Sequence, residues 1–397
     1  MRILYIANDL AYFRAHRENI AVALAKDGHD VVVASGDADG TSVADWPTSM
    51  RLVALKMDKH ALNVRGDISL VVALRRLLRD GGFDVVHAIT IKPILMSAIA
   101  MRLLRFGDHS TRPLMVRTFA GLGKVFEPSK RFNHRLRRWI VTIALKLCAR
   151  GLPVVTTFEN PHDRETMIAT GLTTNDTSRE LLGTGLSLSH YRPSKPSRQE
   201  GQRATVLMAA RLLNNKGVNE FINAARMARE ANLDANFILA GHRDVGDPDA
   251  VDPQIVDDAV RNGVLQFAGS VAQRDMPALL NRADIFCLPT KLREGFPRSL
   301  VEAAACGCAL IAADQPTIRR VVIEGETGWL LNDVTSDALF GALKSALADL
   351  QKTRHMGESA ARLVHGMSVR DEDIIAQFCD IYGVNLPDAV SPSQTGK

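Results

Sequence analysis

Short apolar runs that end in a polar or glycine-containing turn, most with a helix following, recur along this chain from one end to the other. MRILYIAND opens the series with a strand ending at Asn8 and Asp9, and a helix from about Phe13 to Asp27 leads into GHDVVVAS, the second strand. FDVVHAITIKP (Phe83 to Pro93) and RPLMVRTFAGLGKVFEP (Arg112 to Pro128) repeat the pattern. In the second half, ATVLMAARLLNNKGVNEFINAA (Ala204 to Ala225) reads as strand, polar loop and helix. Three more strand-like runs follow: ANFILAG ending at Gly241, VLQFAGS ending at Ser270 and ADIFCLPT ending at Thr290. Strands alternating with helices specify an α/β architecture. With 397 residues, 46% of them hydrophobic, the chain is too long for one ordinary domain and can fill two cores. The stretch YRPSKPSRQEGQRA (Tyr191 to Ala204) lacks apolar periodicity and divides the two series. This reading sets a first domain at 1–190, a second at 191–370, a C-terminal helix at 371–385 packed back on the first domain, and a disordered tail at 386–397.

EGFPRSLVE, Glu294 to Glu302, carries the most chemistry. Gly295 allows a tight turn, Pro297 suits a first helical turn, and Ser299, Leu300, Val301 and the following alanines continue at helical spacing toward Gly307. Glu294 then lies in the loop before a helix and Glu302 about one turn inside it. A helix start presents free backbone N–H groups and the positive end of the helix dipole, which together form an anion site. Two carboxylates beside such a site suit a sugar nucleotide, whose hydroxyls need acceptors and whose diphosphate needs donors. The alternative is a pair of solvated glutamates around an ordinary turn. Upstream, Arg211 and Lys216 fall in the loop at the C-terminal end of a strand, where open α/β sheets bind ligands. A guanidinium binds phosphate bidentately and a lysine adds a flexible point charge, although a solvated basic loop would look similar.

Together these residues resemble the C-terminal half of the family 4 glycosyltransferases, retaining enzymes of the GT-B fold, in which two Rossmann-like domains with parallel sheets face each other across a cleft. The glutamate pair with GFPRSLVEAAACG, the basic loop after the first strand of the second domain, and GTGLSLSHY (Gly183 to Tyr191) at the junction stand in that family's order. The resemblance implies that Glu294 lies against the transferred sugar, that Glu302 accepts hydrogen bonds from ribose hydroxyls, and that Arg211 and Lys216 hold the donor diphosphate. Gly269, Gly295, Phe296, Ser299 and Leu300 complete the implied donor site. HAITIKP, TFAGLG and FENPHDRETM (Phe158 to Met167) are similar to the capsule and lipid-linked-oligosaccharide branch, whose members typically pass a sugar from a UDP-sugar to a saccharide on undecaprenyl diphosphate. That branch implies acceptor contacts from Lys92, Gly121 and Gly123; His87 is a nearby alternative, although a lone histidine at a strand end is more often structural. No metal or other cofactor is expected. The chain departs from the family in two places: DLAYFRAHR (Asp9 to Arg17) replaces a Gly-Gly loop after the first strand, and Phe119 and Ala120 stand where many members carry a histidine.

The five cysteines, Cys148, Cys287, Cys306, Cys308 and Cys379, are scattered in apolar runs and read as buried thiols of a reducing compartment rather than a zinc site. MRILYIAND turns polar too early for a signal peptide, and no segment offers the roughly 20 apolar residues of a membrane span. The stretch 129–150 is different. It carries Lys130, Arg131, Arg135, Arg137, Arg138, Lys146 and Arg150 with no acid, beside Trp139, Ile140, Ile143, Leu145 and Leu147. Such an amphipathic basic helix fits an anionic membrane surface, with Arg75, Arg76 and Arg79 extending the patch. A packed helix with a solvated basic end is the competing reading. The expected place is the cytoplasm, peripherally on the inner face of the membrane. A net charge of +5 is compatible with nucleic acid, but aromatics are only 5% and no nucleic-acid-binding signature is present. An NAD-dependent enzyme is disfavoured because no GxGxxG follows the first strand. A GT-B UDP-N-acetylhexosamine epimerase and a non-catalytic sugar-nucleotide-binding subunit remain as alternatives.

Overall fold

The structure, a computed structural model, describes residues 1–36, 46–57, 64–104, 112–119, 121–122, 126, 132–194, 203–244 and 246–384. Gly123, Lys130, Arg131 and the tail expected at 386–397 lie outside these residues. The chain divides into two units, Met1–Gly185 together with the residues from Asp371 onward, and Leu186–Arg370. The division therefore falls inside GTGLSLSHY, a few residues before the expected 190 and ahead of the polar stretch at 191–204.

The first unit runs β1 (Arg2–Ala7), α1 (Leu10–His16), α2 (Glu18–Lys26), β2 (Asp30–Ser35), β3 (Met50–Ala54), α3 (Val64–Gly81), β4 (Val85–Ile89), α4 (Ile91–Arg102), β5 (Leu114–Phe119), α5 (Phe132–Ala149), β6 (Val154–Phe158), α6 (Pro161–Ala169) and β7 (Ser178–Glu180). The pairings are parallel and the seven strands lie in the order β3-β2-β1-β4-β5-β6-β7. Apolar side chains cover both faces. Leu4, Ile6, Val86 and Ala88 join one core cluster, while Ile3, Tyr5, Val85 and Ile89 join the other. The helix Asp371–Tyr382 packs on the second of these, burying Ile374, Phe378, Cys379 and Tyr382.

The single helix expected from Phe13 to Asp27 is two. Asp9 caps α1 by accepting from the Tyr12 amide, and the backbone breaks at Arg17, whose φ of −140° and ψ of −8° are not helical. The cause is tertiary. Arg17 is wholly buried and its Nη2 donates to Glu159 Oε1 at 2.9 Å, so the chain turns to carry its guanidinium inward.

The second unit runs β8 (Ala204–Ala209), α7 (Val218–Glu230), β9 (Ala235–Ala240), α8 (Pro253–Arg261), β10 (Gln266–Gly269), α9 (Met276–Leu280), β11 (Ile285–Leu288), α10 (Arg298–Ala305), β12 (Ala309–Ala313), β13 (Gly328–Leu331), α11 (Ser336–Ala348) and α12 (Leu350–His365). Its six parallel strands lie in the order β10-β9-β8-β11-β12-β13. The chain thus winds outward from β8 in one direction and restarts beside it with β11 in the other. That reversal puts the carboxyl ends of β8 and β11 side by side, the place where a doubly wound sheet binds ligands.

Candidate active site

Two loops leave the sheet at this reversal. Residues 210–217 follow β8 and residues 289–297 follow β11. They are locked together at the Asn215 carbonyl, which accepts from the Lys291 amide at 2.7 Å and from the Thr290 hydroxyl at 3.4 Å. Gly217 permits the closeness, because a Cβ there would stand 1.9 Å from the Pro289 carbonyl oxygen, and its φ of +80° suits glycine alone. The result is that Lys216 Nζ donates to Glu294 Oε1 at 2.6 Å, with the two side chains only 17% and 13% exposed. A diphosphate-binding candidate and a sugar-binding candidate are therefore in direct contact.

Glu294 is also held by its backbone. Its N–H donates to Gln315 Oε1 at 3.0 Å and its carbonyl accepts from Thr317 Oγ1 at 3.2 Å. Gln315 Nε2 donates in turn to the Leu292 carbonyl at 2.7 Å and the Thr290 carbonyl at 3.3 Å. Sequence reasoning missed both residues. The available signal was position, since they follow the carboxyl end of β12, next in the sheet to β11.

The other donor-site candidates occupy the same end of the unit with different partners. Arg211 is 56% exposed and faces Asp244 at 3.6 Å, which leaves its guanidinium accessible. Glu302 lies on α10, buried, where Oε1 accepts from Arg298 Nε at 2.8 Å. Tyr191 also contacts Glu302, and burial followed by that carboxylate's charge pushes the phenol pKa up. Pro297 takes the N-cap of α10 rather than a place in its first turn, its side chain caps no amide, and its carbonyl accepts from the Leu300 and Val301 amides at 3.0 and 3.2 Å. Ser299 and Gly295 are half-buried, while Phe296 and Leu300 are buried. Gly269 ends β10 at φ +70° and accepts from the Gly241 amide at 2.8 Å.

In the first unit the acceptor candidates fare differently. His87 is wholly buried, its Nδ1 2.6 Å from the Tyr382 hydroxyl and its Nε2 2.6 Å from Thr118 Oγ1. Burial, then the nearby Arg17 charge, holds its pKa well below the ordinary 6.5. With both ring nitrogens engaged inside the unit, His87 ties the C-terminal helix to the sheet and presents nothing to a ligand. This corrects its placement as an acceptor contact. Lys92 Nζ pairs with Asp67 at 2.8 Å and is 13% exposed. Gly121 is half-buried, at φ +133°. Asn8 and Thr90 stand one step past the carboxyl ends of β1 and β4. Their buried Oδ1 and Oγ1 have no hydrogen-bond partner among the described residues, and Thr90 has a φ of +71°.

The basic helix is α5. Trp139, Ile140, Leu147 and Leu136 are 62%, 53%, 55% and 42% exposed beside exposed Arg135, Arg137 and Lys146 and half-buried Arg138. On α3, Ile68 and Val72 are 60% and 55% exposed, with exposed Arg75, Arg76 and Arg79 on the same helix. Both helices flank α4. Among the described residues no helix is long and apolar enough to cross a membrane.

Residues 192–363 match the family Glycosyl transferases group 1, and residues 15–157 match Glycosyltransferase Family 4. Glycogen synthase of Mycobacterium tuberculosis is 27% identical over 368 residues, covering 84% of this chain and 82% of its own. N,N'-diacetylbacillosaminyl-diphospho-undecaprenol alpha-1,3-N-acetylgalactosaminyltransferase of Campylobacter jejuni is 25% identical over 387 residues, 95% of this chain and 96% of that protein. Among solved structures, sucrose-phosphate synthase from Thermosynechococcus elongatus superposes with a TM-score of 0.76 at 19% identity, over 96% of this chain and 98% of its own. Anabaena Alr3699/HepE in complex with UDP-glucose gives a TM-score of 0.73 at 20% identity, over 96% and 99%.

Proposed function

We propose that this chain, which carries glycosyltransferase family 4 domains in a GT-B fold, is a retaining glycosyltransferase that moves a sugar from a nucleotide-sugar, a UDP-sugar, to a lipid-linked saccharide on undecaprenyl diphosphate. The observation that carries the reading is the Lys216–Glu294 contact at the β8/β11 reversal, which sets a cation for phosphate and an acceptor for sugar hydroxyls side by side. Lys216, Arg211 and the first amides of α10 hold the donor diphosphate. As the bond between the anomeric carbon and the phosphate oxygen breaks, these donors stabilise the charge growing on the leaving group, an electrostatic role that needs no metal. Glu294 orients the sugar and stabilises its oxocarbenium character. The acceptor hydroxyl attacks from the face the phosphate leaves, its oxygen bonds to the anomeric carbon, and its proton passes to the departing phosphate oxygen. Glu302, fixed by Arg298, receives the ribose hydroxyls.

The lipid-linked acceptor is supported by the Campylobacter jejuni relative, whose name specifies a diphospho-undecaprenol substrate. It is also supported by the exposed apolar and basic residues of α5 and α3, which suit a chain working peripherally on the anionic inner face of the cytoplasmic membrane. The test is a screen of UDP-sugars for slow hydrolysis, which needs no acceptor, run with and without EDTA. One UDP-sugar cleaved in preference to the others, EDTA-insensitively, is the expected result. Hydrolysis of none, even with undecaprenyl-linked saccharide supplied, would make the chain a non-catalytic nucleotide-binding subunit. Conversion of UDP-N-acetylhexosamine to its epimer without acceptor would make it an epimerase.

A further inference from the structure

The loop that carries Glu294 has no regular secondary structure, so its backbone direction must be set from outside. Both peptide groups flanking the Glu294 Cα are held by side chains from the segment after β12: the N–H by Gln315 at 3.0 Å and the C=O by Thr317 at 3.2 Å. Gln315 reaches further back, to the Leu292 and Thr290 carbonyls at 2.7 and 3.3 Å. A carboxamide both donates and accepts, so this one side chain satisfies three backbone groups that no carboxylate or alkyl chain of the same length could satisfy together. These hydrogen bonds all go to loop backbone, and Thr317 is itself buried. Fixing the two peptide planes fixes φ and ψ of Glu294 and hence the line along which its side chain leaves the backbone, at whose far end Lys216 holds the carboxylate.

We infer that Gln315 and Thr317 are positioning residues, a two-point clamp that aims the Glu294 carboxylate at the donor's sugar and leaves nucleotide affinity to Lys216 and Arg211. The inference rests on the role given to Glu294 above. It separates two quantities that a merely structural role would move together. Misplacing a reacting group by about 1 Å costs on the order of a hundredfold in rate. Gln315→Met and Thr317→Val keep volume and remove the hydrogen bonds, and each is expected to lower kcat for donor cleavage about ten- to hundredfold. UDP, which lacks the sugar, is expected to bind both variants no more than about threefold more weakly than the wild type, well under the tenfold that about 1.4 kcal/mol represents, and more tightly where the displaced Glu294 carboxylate releases Lys216. Hydrogen exchange across residues 289–297 is expected to rise in both variants, and Thr317→Ser, which keeps the hydroxyl, to restore exchange and kcat. Unchanged kcat and exchange in both variants would overturn the clamp. So would UDP affinity falling in parallel with kcat, which would mean that the site has simply collapsed. Normal turnover by Glu294→Gln would defeat the assignment of Glu294 and not the clamp, whose exchange readout is independent of activity.

Discussion

Replacing Glu294 with glutamine should tighten the binding of UDP while slowing sugar transfer. Lys216 is assigned to the diphosphate, yet its ammonium is held by the Glu294 carboxylate at 2.6 Å. At that separation the attraction is roughly 6 kcal/mol at an effective dielectric constant of about 20 and about 1.6 kcal/mol at that of water. The side chains are 17% and 13% exposed, and desolvation offsets much of the gross attraction, so a net value of about 1.5–3 kcal/mol is reasonable for such a charged hydrogen bond. An arriving diphosphate must share or displace that contact, and it meets the glutamate's own negative charge. Glu294→Gln removes both costs, and recovering about half of the net value predicts UDP binding tighter by about 3- to 12-fold. Turnover should fall at least about a hundredfold, because the neutral amide no longer stabilises positive charge on the sugar. Calorimetric titration with UDP, paired with donor hydrolysis, reads both quantities, and Lys216→Met is the control that should weaken UDP binding. Weaker or unchanged UDP binding in Glu294→Gln would refute the competition argument, and normal turnover would refute the role of the carboxylate.

Arg211→Ala should raise the donor KM about tenfold with a smaller change in kcat, since an exposed guanidinium 3.6 Å from Asp244 contributes charge to the bound nucleotide rather than to the fold; an unchanged KM in steady-state kinetics would remove it from the diphosphate site. Replacing Arg135, Arg137 and Arg138 together by glutamine should lower partitioning onto anionic vesicles by tenfold to a hundredfold at low salt, from about 1 kcal/mol per basic residue near the surface. Sedimentation with vesicles checks this, and unchanged partitioning would leave α5 a packed helix with a solvated basic end. His87 makes stability pH-dependent. Its folded-state pKa is depressed well below 6.5, so as pH falls the unfolded chain takes up the proton first; the contribution is fully present above pH 6.5 and is lost below it. Chemical denaturation of the wild type and His87→Gln between about pH 7.5 and 5 should show a shallower decline in the variant, by up to about 1.4 kcal/mol per pH unit, and parallel curves would refute the assignment.

Local pattern was enough to place the ends of most strands and thereby the loops that hold Arg211, Lys216 and Glu294. Apolar runs such as ILYIA and TVLMA announce buried strands whatever they pair with. Where an element depends on its partner, the pattern falls silent. β7 is Ser-Arg-Glu, which has no strand signal and joins the sheet through backbone bonds to β6. Arg17 breaks a helix that its neighbours favour, because Glu159, 142 residues away, is where its charge is satisfied. His87, at a strand end, suits a ligand or the structure, and Tyr382, 295 residues on, decides for the structure. The site follows the same logic at larger scale. A strand's carboxyl end can be read from a dozen residues, but which other end it meets depends on strand order, and a chain that winds outward from β8 and restarts at β11 brings those two ends together. Only that order converts a lysine and a glutamate 78 positions apart into one ion pair. The same adjacency, carried one strand further to β12, puts Gln315 and Thr317 against the loop whose direction decides what the glutamate can reach.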